Sequence, residues 1–219
     1  MKDIRFRLEE KSDYRETETV LREAFWNQFA PGCIEHFLLH SIRDSSDFLP
    51  ELDIVATYNG KIIANIDFTK SMIISDDGKK YTTLCLGPIG VLPSFQKEGI
   101  GGALIDYAKK LIREMDYDYR AIFLFGDPNY YSRQGFVPAE NYTIRTSDNY
   151  FAAAHQVCPL YPGALDGITG RYFESPAFVA DESAAEIFDK QFPEKEKLTG
   201  VKLQPVFNKL VKMVKKYQD

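Results

Sequence analysis

Residues 99–102 read Gly-Ile-Gly-Gly and run straight into an amphipathic segment. Glycine tolerates left-handed dihedrals and close approach at an entropic cost, so three in four positions mark a backbone that something must come near. Beyond them Leu104, Ile105, Ala108, Leu111, Ile112 and Met115 recur at helical spacing, leaving Asp106, Lys109, Lys110 and Arg113 mostly facing water. A glycine-rich turn that opens a helix presents unpaired N–H groups and the positive end of the helix dipole. That is an anion site, and phosphate is its usual occupant.

Spacing separates the phosphate ligands. A dinucleotide fingerprint G-x-G-x-x-G fails, because counting from Gly99 its third glycine position is Leu104. A P-loop needs G-K-[ST] where this helix opens Gly-Gly-Ala, so it fails too. What remains is Gln96-Lys97-Glu98-Gly99-Ile100-Gly101, which fits Q/R-x-x-G-x-G/A. This resembles the coenzyme A pyrophosphate loop of the GNAT superfamily of N-acetyltransferases; the plain alternative is a tight strand-to-helix turn with no ligand. Upstream, residues 82–93 (TTLCLGPIGVLP) read as a strand broken at Gly87-Pro88, since proline cannot donate to a ladder and glycine weakens one. Downstream, residues 121–136 (AIFLFGDPNYYSRQGF) read as a short apolar strand, a helical turn or two, and a Gly-Phe end, with Gly135 suited to the C′ position. Tyr131 to Phe136 resembles the family's Y-x-x-x-G-[FY]. The three matched segments cover roughly residues 82–140.

The resemblance implies a set of roles. The loop of Gln96, Lys97, Glu98, Gly99, Ile100, Gly101, Gly102 and Ala103 would hold the pyrophosphate, the backbone of Ile89, Gly90 and Val91 would pair with the pantetheine arm, and Asn129 would add a cofactor contact. Tyr131 falls where the family's general-acid tyrosine sits; a packed aromatic is its plain reading, and loss of the neighbouring Tyr130 hydroxyl is expected to be nearly silent. The implied function is transfer of an acetyl group from acetyl-CoA to a primary amine by direct attack in a ternary complex. The alternative is a non-catalytic acyl-CoA-binding sensor or interaction module. The acceptor, small molecule or protein amine, is left open, with Phe25, Trp26 and Phe29 expected to wall its cleft.

Such a transfer needs a base for the amine, and residues 83–91 (TLCLGPIGV) carry no acid. Asp67 is the nearest strand carboxylate and is expected to be exposed. His36 and His40 stand four apart, yet both fall opposite the apolar stripe of their helix with no third ligand nearby, so a wet face and no metal site are expected. His155 and Cys158 fit no recognisable site.

The elements that must position these groups alternate. Residues 4–8 read as a strand, and Asp13 with Glu16 as the cap of a helix carrying Val20, Leu21, Ala24 and Phe25 inward. A second helix has Ile34, Phe37, Leu38, Ser41 and Ile42 on one face. Asn59-Gly60 marks a two-residue hairpin and Asp76-Asp77-Gly78 a looser one. The fold class is therefore α/β, and the resemblance makes it a GNAT-like mixed, mostly antiparallel central sheet flanked by helices and splayed at the cofactor site. Residues 1–150 are expected to form the acetyltransferase domain. Residues 151–219 would be an extension packed on the same domain, similar to the tail of a poorly characterised bacterial GNAT branch, with a final helix over 206–217.

The 219 residues carry a net charge of −5 and a pI near 5.4, which argues against a general nucleic-acid or anionic-membrane surface. A phosphate site must then be built locally, from N–H groups and cations such as Lys97 and Arg133. Three widely spaced cysteines without C-x-x-C read as reduced thiols, and neither a signal-like h-region nor a membrane-spanning run is present. A cytoplasmic monomer or homodimer is the expectation.

Overall fold

The computed structural model describes residues 3–218. Strand β1 (Ile4–Leu8) leads into α1 (Tyr14–Phe25), whose Val20, Leu21 and Ala24 turn inward. The expected cap is not formed. The Asp13 carboxylate is taken by Arg7 at 2.5 and 3.0 Å and by the Glu10 amide, while Glu16 reaches across to accept the Ile62 N–H at 2.9 Å. Helix α2 (Glu35–Ile42) is followed by β2 (Ile54–Tyr58) and β3 (Lys61–Ser75), joined at Asn59-Gly60, both left-handed as a two-residue hairpin requires. Then come β4 (Lys80–Val91), α3 (Ile100–Glu114), β5 (Ala121–Phe125), α4 (Pro128–Tyr131) and β6 (Val137–Pro138).

The remaining elements are β7 (Ile144–Arg145), β8 (Tyr150–Ala152), β9 (His155–Pro159), β10 (Gly170–Phe173), α5 (Glu182–Asp189), α6 (Gln204–Leu210) and β11 (Val214–Lys216). The main sheet runs β1-β2-β3-β4-β5-β9-β6 and is antiparallel along this path except between β4 and β5. Strand β9 inserts between β5 and β6. Strand β10 pairs with Met72–Ser75 of β3, whose earlier residues pair with β2. Residues beyond 150 thus supply strands to the central sheet.

The long final helix is not formed: α6 stops at Leu210, and Val214–Lys216 pair with β8 instead. Phe207 does pack, 5.0 Å from the Phe29 ring, but Val211 and Val214 are about half exposed. The i, i+3, i+4, i+7 pattern of Phe207, Leu210, Val211 and Val214 fits either a helix face or the end of one element and the start of the next, and here the free edge of β8 decides.

The core has two sides. Ile54, Ile66, Phe68 and Leu84 face Leu104, Ile105 and Ala108 of α3, while Val55 and Ile62 face Val20 of α1 on the opposite side. The histidine face of α2 is exposed at His40, as expected, but covered at His36. His36 is fully buried, and Phe188 of α5 lies 5.6 Å from the His36 ring and 4.5 Å from that of His40. The cover comes from 150 residues downstream, which local periodicity cannot register. No helix among the described residues is long and apolar enough to cross a membrane, and all three cysteines are free.

Candidate active site

Strand β4 makes the opening. Its Leu84 and Cys85 pair with Ile122 and Phe123 of β5, and there the pairing ends, although β4 runs on to Val91. On its other side the ladder slips by one residue: Ile66 pairs with Ile89 but Phe68 with Leu86, so Gly87 and Pro88 together face Asp67. The break expected at Gly87-Pro88 is this bulge, inside a strand that stays paired with β3.

Beyond Val91 the chain makes a turn at Pro93–Phe95, and the Gln96 side chain donates back to the Val91 carbonyl at 3.0 Å. Gly99 is left-handed at φ 82° and forms the N-cap of α3 with no side chain capping the first N–H groups. Gly101 and Gly102 have close neighbours instead, a tyrosine hydroxyl at the first and the movable end of a glutamine at the second. A Cβ at Gly101 would stand 2.6 Å from the Tyr130 hydroxyl, and one at Gly102 would stand 2.9 Å from the Gln134 amide. The protein itself therefore approaches this helix start, through the segment after β5. Lys97 and Glu98 lie exposed on the turn, and Ile100 and Gly101 are buried.

Asp127 caps α4, accepting from the Asn129 amide at 2.9 Å and from its side chain at 3.0 Å. Tyr131 is half-buried, edge-on to Tyr130 at 4.9 Å and to Phe136 at 5.7 Å, with its ring against Gly126. Burial pushes its phenol well above the usual tyrosine pKa, helped by Tyr130 and Asp127. Its hydroxyl has no hydrogen-bond partner among the described residues. A groove of about 180 Å³ runs between Phe25 and Phe29 on one side and Ile89, Gly90 and Val91 on the other, with Gln96 and Leu203 also lining it. Trp26 is not part of that wall; it is 5% exposed and its indole donates to the Glu196 carbonyl at 2.9 Å.

Comparison with known proteins places this geometry in a family. Residues 51–138 match the acetyltransferase (GNAT) domain model. A 133-residue stretch, 61% of this chain and 69% of its relative, is 30% identical to the uncharacterized N-acetyltransferase YjhQ of Escherichia coli. The chain belongs to the GNAT acetyltransferase family. Its fold superposes on the E. coli GNAT N-acetyltransferase YhbS, solved in complex with CoA, with a TM-score of 0.72 at 25% identity, covering 82% of this chain and 94% of that one. A GNAT acetyltransferase from Brucella melitensis, solved with acetyl-CoA, gives 0.59 at 26% identity over 81% and 99%.

Two polar clusters of this acetyltransferase lie outside the motif. One centres on Arg43, which grips Glu9 through two bonds of 2.7 and 2.8 Å, reaches Glu18 at 3.2 Å and stands 3.9 Å from Asp53. Asn65 donates to Asp53 at 2.8 Å. Beside them Asp67 is not the exposed strand residue expected: it is 0% exposed and neither oxygen accepts a hydrogen bond among the described residues. Burial drives its carboxyl well above the usual range, Glu9 adding to this while Arg43 opposes it. The alternation Ile66-Asp67-Phe68 was the available signal, but it reads equally as a wet face until α1 and α2 are laid over it.

The other cluster has the outline of a nucleophilic triad. The Cys33 sulfur lies 3.6 Å from His36 Nδ1, and His36 Nε2 lies 3.0 Å from Asp189, out of line for a hydrogen bond. Its electrostatics oppose that role. Burial, then Glu35 and Asp189, push the thiol well up, and burial pulls His36 down to about 4, so neither group is poised to make a thiolate. No group of His, Cys, Asp or Glu able to hold a metal occurs among the described residues.

Proposed function

We propose that this acetyltransferase moves an acetyl group from acetyl-CoA to a primary amine by direct attack within a ternary complex. The observation that carries the reading is the parting of β4 from β5 beyond Cys85–Phe123, beside the uncapped start of α3. Acetyl-CoA is the co-substrate. Its diphosphate would meet the free N–H groups of residues 100–102 and the positive end of α3, and its pantetheine arm the β4 backbone at Ile89–Val91. Residues 96–103 and Asn129 are its proposed contacts.

An alkyl ammonium has a pKa of about 10, so exposing its lone pair at pH 7 costs roughly 4 kcal/mol before attack begins. The departing thiolate, near 8.5 by analogy with cysteine, needs a proton. Tyr131 suits the protonation of that sulfur, because its raised pKa keeps the phenol protonated and its hydroxyl is uncommitted. A hydrogen bond that tightens as charge grows on sulfur requires no free tyrosinate. Phe25 and Phe29 in the groove favour an amine carrying apolar surface. Residues 151–219 belong to the same folding unit in this reading, since β9 and β10 complete the sheet, and the three free cysteines fit a cytoplasmic location. The test is thiol release from acetyl-CoA against a panel of polyamines, amino acids, aminoglycosides and peptide N-termini. Tight acetyl-CoA binding with no turnover of any amine would favour a non-catalytic acyl-CoA-binding module instead.

A further inference from the structure

We propose that Asp67 receives the proton that the acceptor amine sheds, through one intervening water, at the point where β4 leaves β5. This rests on the acetyl-transfer reading and assigns a residue within it.

Position is the first argument. An extended pantetheine arm covers about 16 Å from diphosphate to sulfur, or roughly five strand residues at about 3.3 Å each. Counted back along β4 from the turn after Val91, that distance ends at Gly87-Pro88. Asp67 is the β3 residue facing those two. Its neighbours Ile66 and Phe68 point into the core under α3, so Asp67 lies on the other face with Asn65. Asn65 pairs with Gly90, and a Cβ on Gly90 would stand 2.5 Å from Leu21 and 3.2 Å from Ala24 of α1. Gly90 also lines the groove. The carboxyl therefore sits on the α1 side of the sheet, the side of the groove, buried one strand away from where the reactive end of the arm would lie, and the intervening water of the proposal spans that gap.

The second argument is that nothing in the fold uses it. A fully buried carboxyl without a partner is disfavoured, and such groups persist where chemistry needs them. Arg43 is the cation nearest in effect, but it is already committed to Glu9 and Glu18. The other titratable groups acting on this space are Glu9, Asp53 and Cys85. They leave Asp67 holding a proton more firmly than an ordinary carboxyl does. Proton transfer from an ammonium of pKa about 10 to a carboxyl near 4 is unfavourable by about 10⁶-fold, and each unit of upward shift recovers about tenfold.

The step balances. The ammonium passes one proton to Asp67 and the neutral nitrogen attacks the thioester carbon. The C–N bond forms and the C–S bond breaks; the nitrogen's second proton reaches the sulfur in one relay across the Tyr131 hydroxyl, which donates to sulfur as it accepts from nitrogen, so no free tyrosinate forms. One proton per turnover leaves through Asp67.

Asp67→Asn tests this. Because the folded pKa lies above the unfolded one, stability present below pH 4 is lost as pH rises; Asn removes that loss. The variant should melt higher than wild type at pH 8, bind acetyl-CoA within twofold, lose about 100-fold or more in kcat/KM, and lose the fall in rate at low pH. If Asp67→Asn does not fold, Asp67→Ser carries the same comparison. Turnover within threefold and an unchanged pH profile would overturn the assignment, as would a lower melting point at every pH. Slow hydrolysis of bound acetyl-CoA supplies an arm that needs no amine. Hydrolysis unchanged in the variant also overturns the role of Asp67, whereas variant-sensitive hydrolysis without turnover of any amine faults the amine reading alone.

Discussion

Arg22 and Asp189, at opposite ends of the chain, are joined by two N–H···O bonds of 2.6 and 3.3 Å. Arg22 is 2% exposed and its guanidinium also stacks 4.3 Å over Trp26. This pair fastens α5 to α1. Removing the carboxylate would strand a buried cation, a loss of about 3 kcal/mol for a pair this enclosed. Asp189→Ala should therefore lower Tm by roughly 6–12 °C, at about 2–4 °C per kcal/mol for a chain of this size. Scanning calorimetry checks it, and an unchanged Tm would mean that α5 is held by its aromatic contacts alone.

The same carboxylate stands 3.0 Å from His36, which sets a pH dependence. Burial lowers the folded His36 pKa to about 4, against about 6.5 unfolded. Between those values the unfolded chain binds the proton and the native one does not, so stability falls as pH drops from about 6.5 to 4. His155, lowered to about 3 by burial, acts in the same direction. Wild type should lose as much as ~3 kcal/mol to His36 over this window. His36→Phe should show a shallower slope in denaturant melts at pH 4.5 and 7; an identical slope would assign the effect to His155 and the carboxylates.

Cys33 should be chemically quiet. Its thiol is held protonated by burial and two nearby carboxylates, so it is a poor nucleophile despite the histidine beside it. Iodoacetamide at pH 7.5 should label it far more slowly than free cysteine, and Cys33→Ala should retain near-full turnover. Rapid labelling, or an acetylated Cys33 trapped by mass spectrometry after mixing with acetyl-CoA, would replace direct attack by a covalent route.

Much of this was legible locally. Asn59-Gly60 named its hairpin, Gly87-Pro88 its bulge, and the 96–102 spacing the start of α3, because each depends on the conformations its own residues permit. The failures share one cause. His36, Asp67 and Trp26 take their environments from layers that arrive from elsewhere in the chain: α5 over His36, α1 and α2 over Asp67, and Glu196 against Trp26. Periodicity reports which residues share a face, but not whether a second layer covers it.

Gly101→Asp tests the phosphate loop. Its Cβ would fall on the Tyr130 hydroxyl, and its charge would oppose a diphosphate at the helix start. Acetyl-CoA affinity measured by calorimetry should fall at least 100-fold with the fold retained by circular dichroism. Unchanged affinity would move the diphosphate away from α3.

The two adjacent tyrosines should separate binding from chemistry. Tyr131 has an uncommitted hydroxyl and a raised pKa, so Tyr131→Phe removes an interaction made only as negative charge grows on sulfur. Its kcat should fall about 100-fold while acetyl-CoA affinity stays within twofold. Tyr130 is no longer the silent neighbour that its sequence position suggested, because its hydroxyl rests over Gly101 at the helix start. Tyr130→Phe should therefore change acetyl-CoA affinity by a few-fold, as loss of a single hydrogen bond of about 1 kcal/mol does, and leave kcat nearly intact. Steady-state rates with an acceptor from the amine panel, set beside calorimetric affinities, distinguish the two. If Tyr131→Phe keeps near-full turnover, its ring is packing against Gly126 and Phe136 only, and the thiolate takes its proton from water.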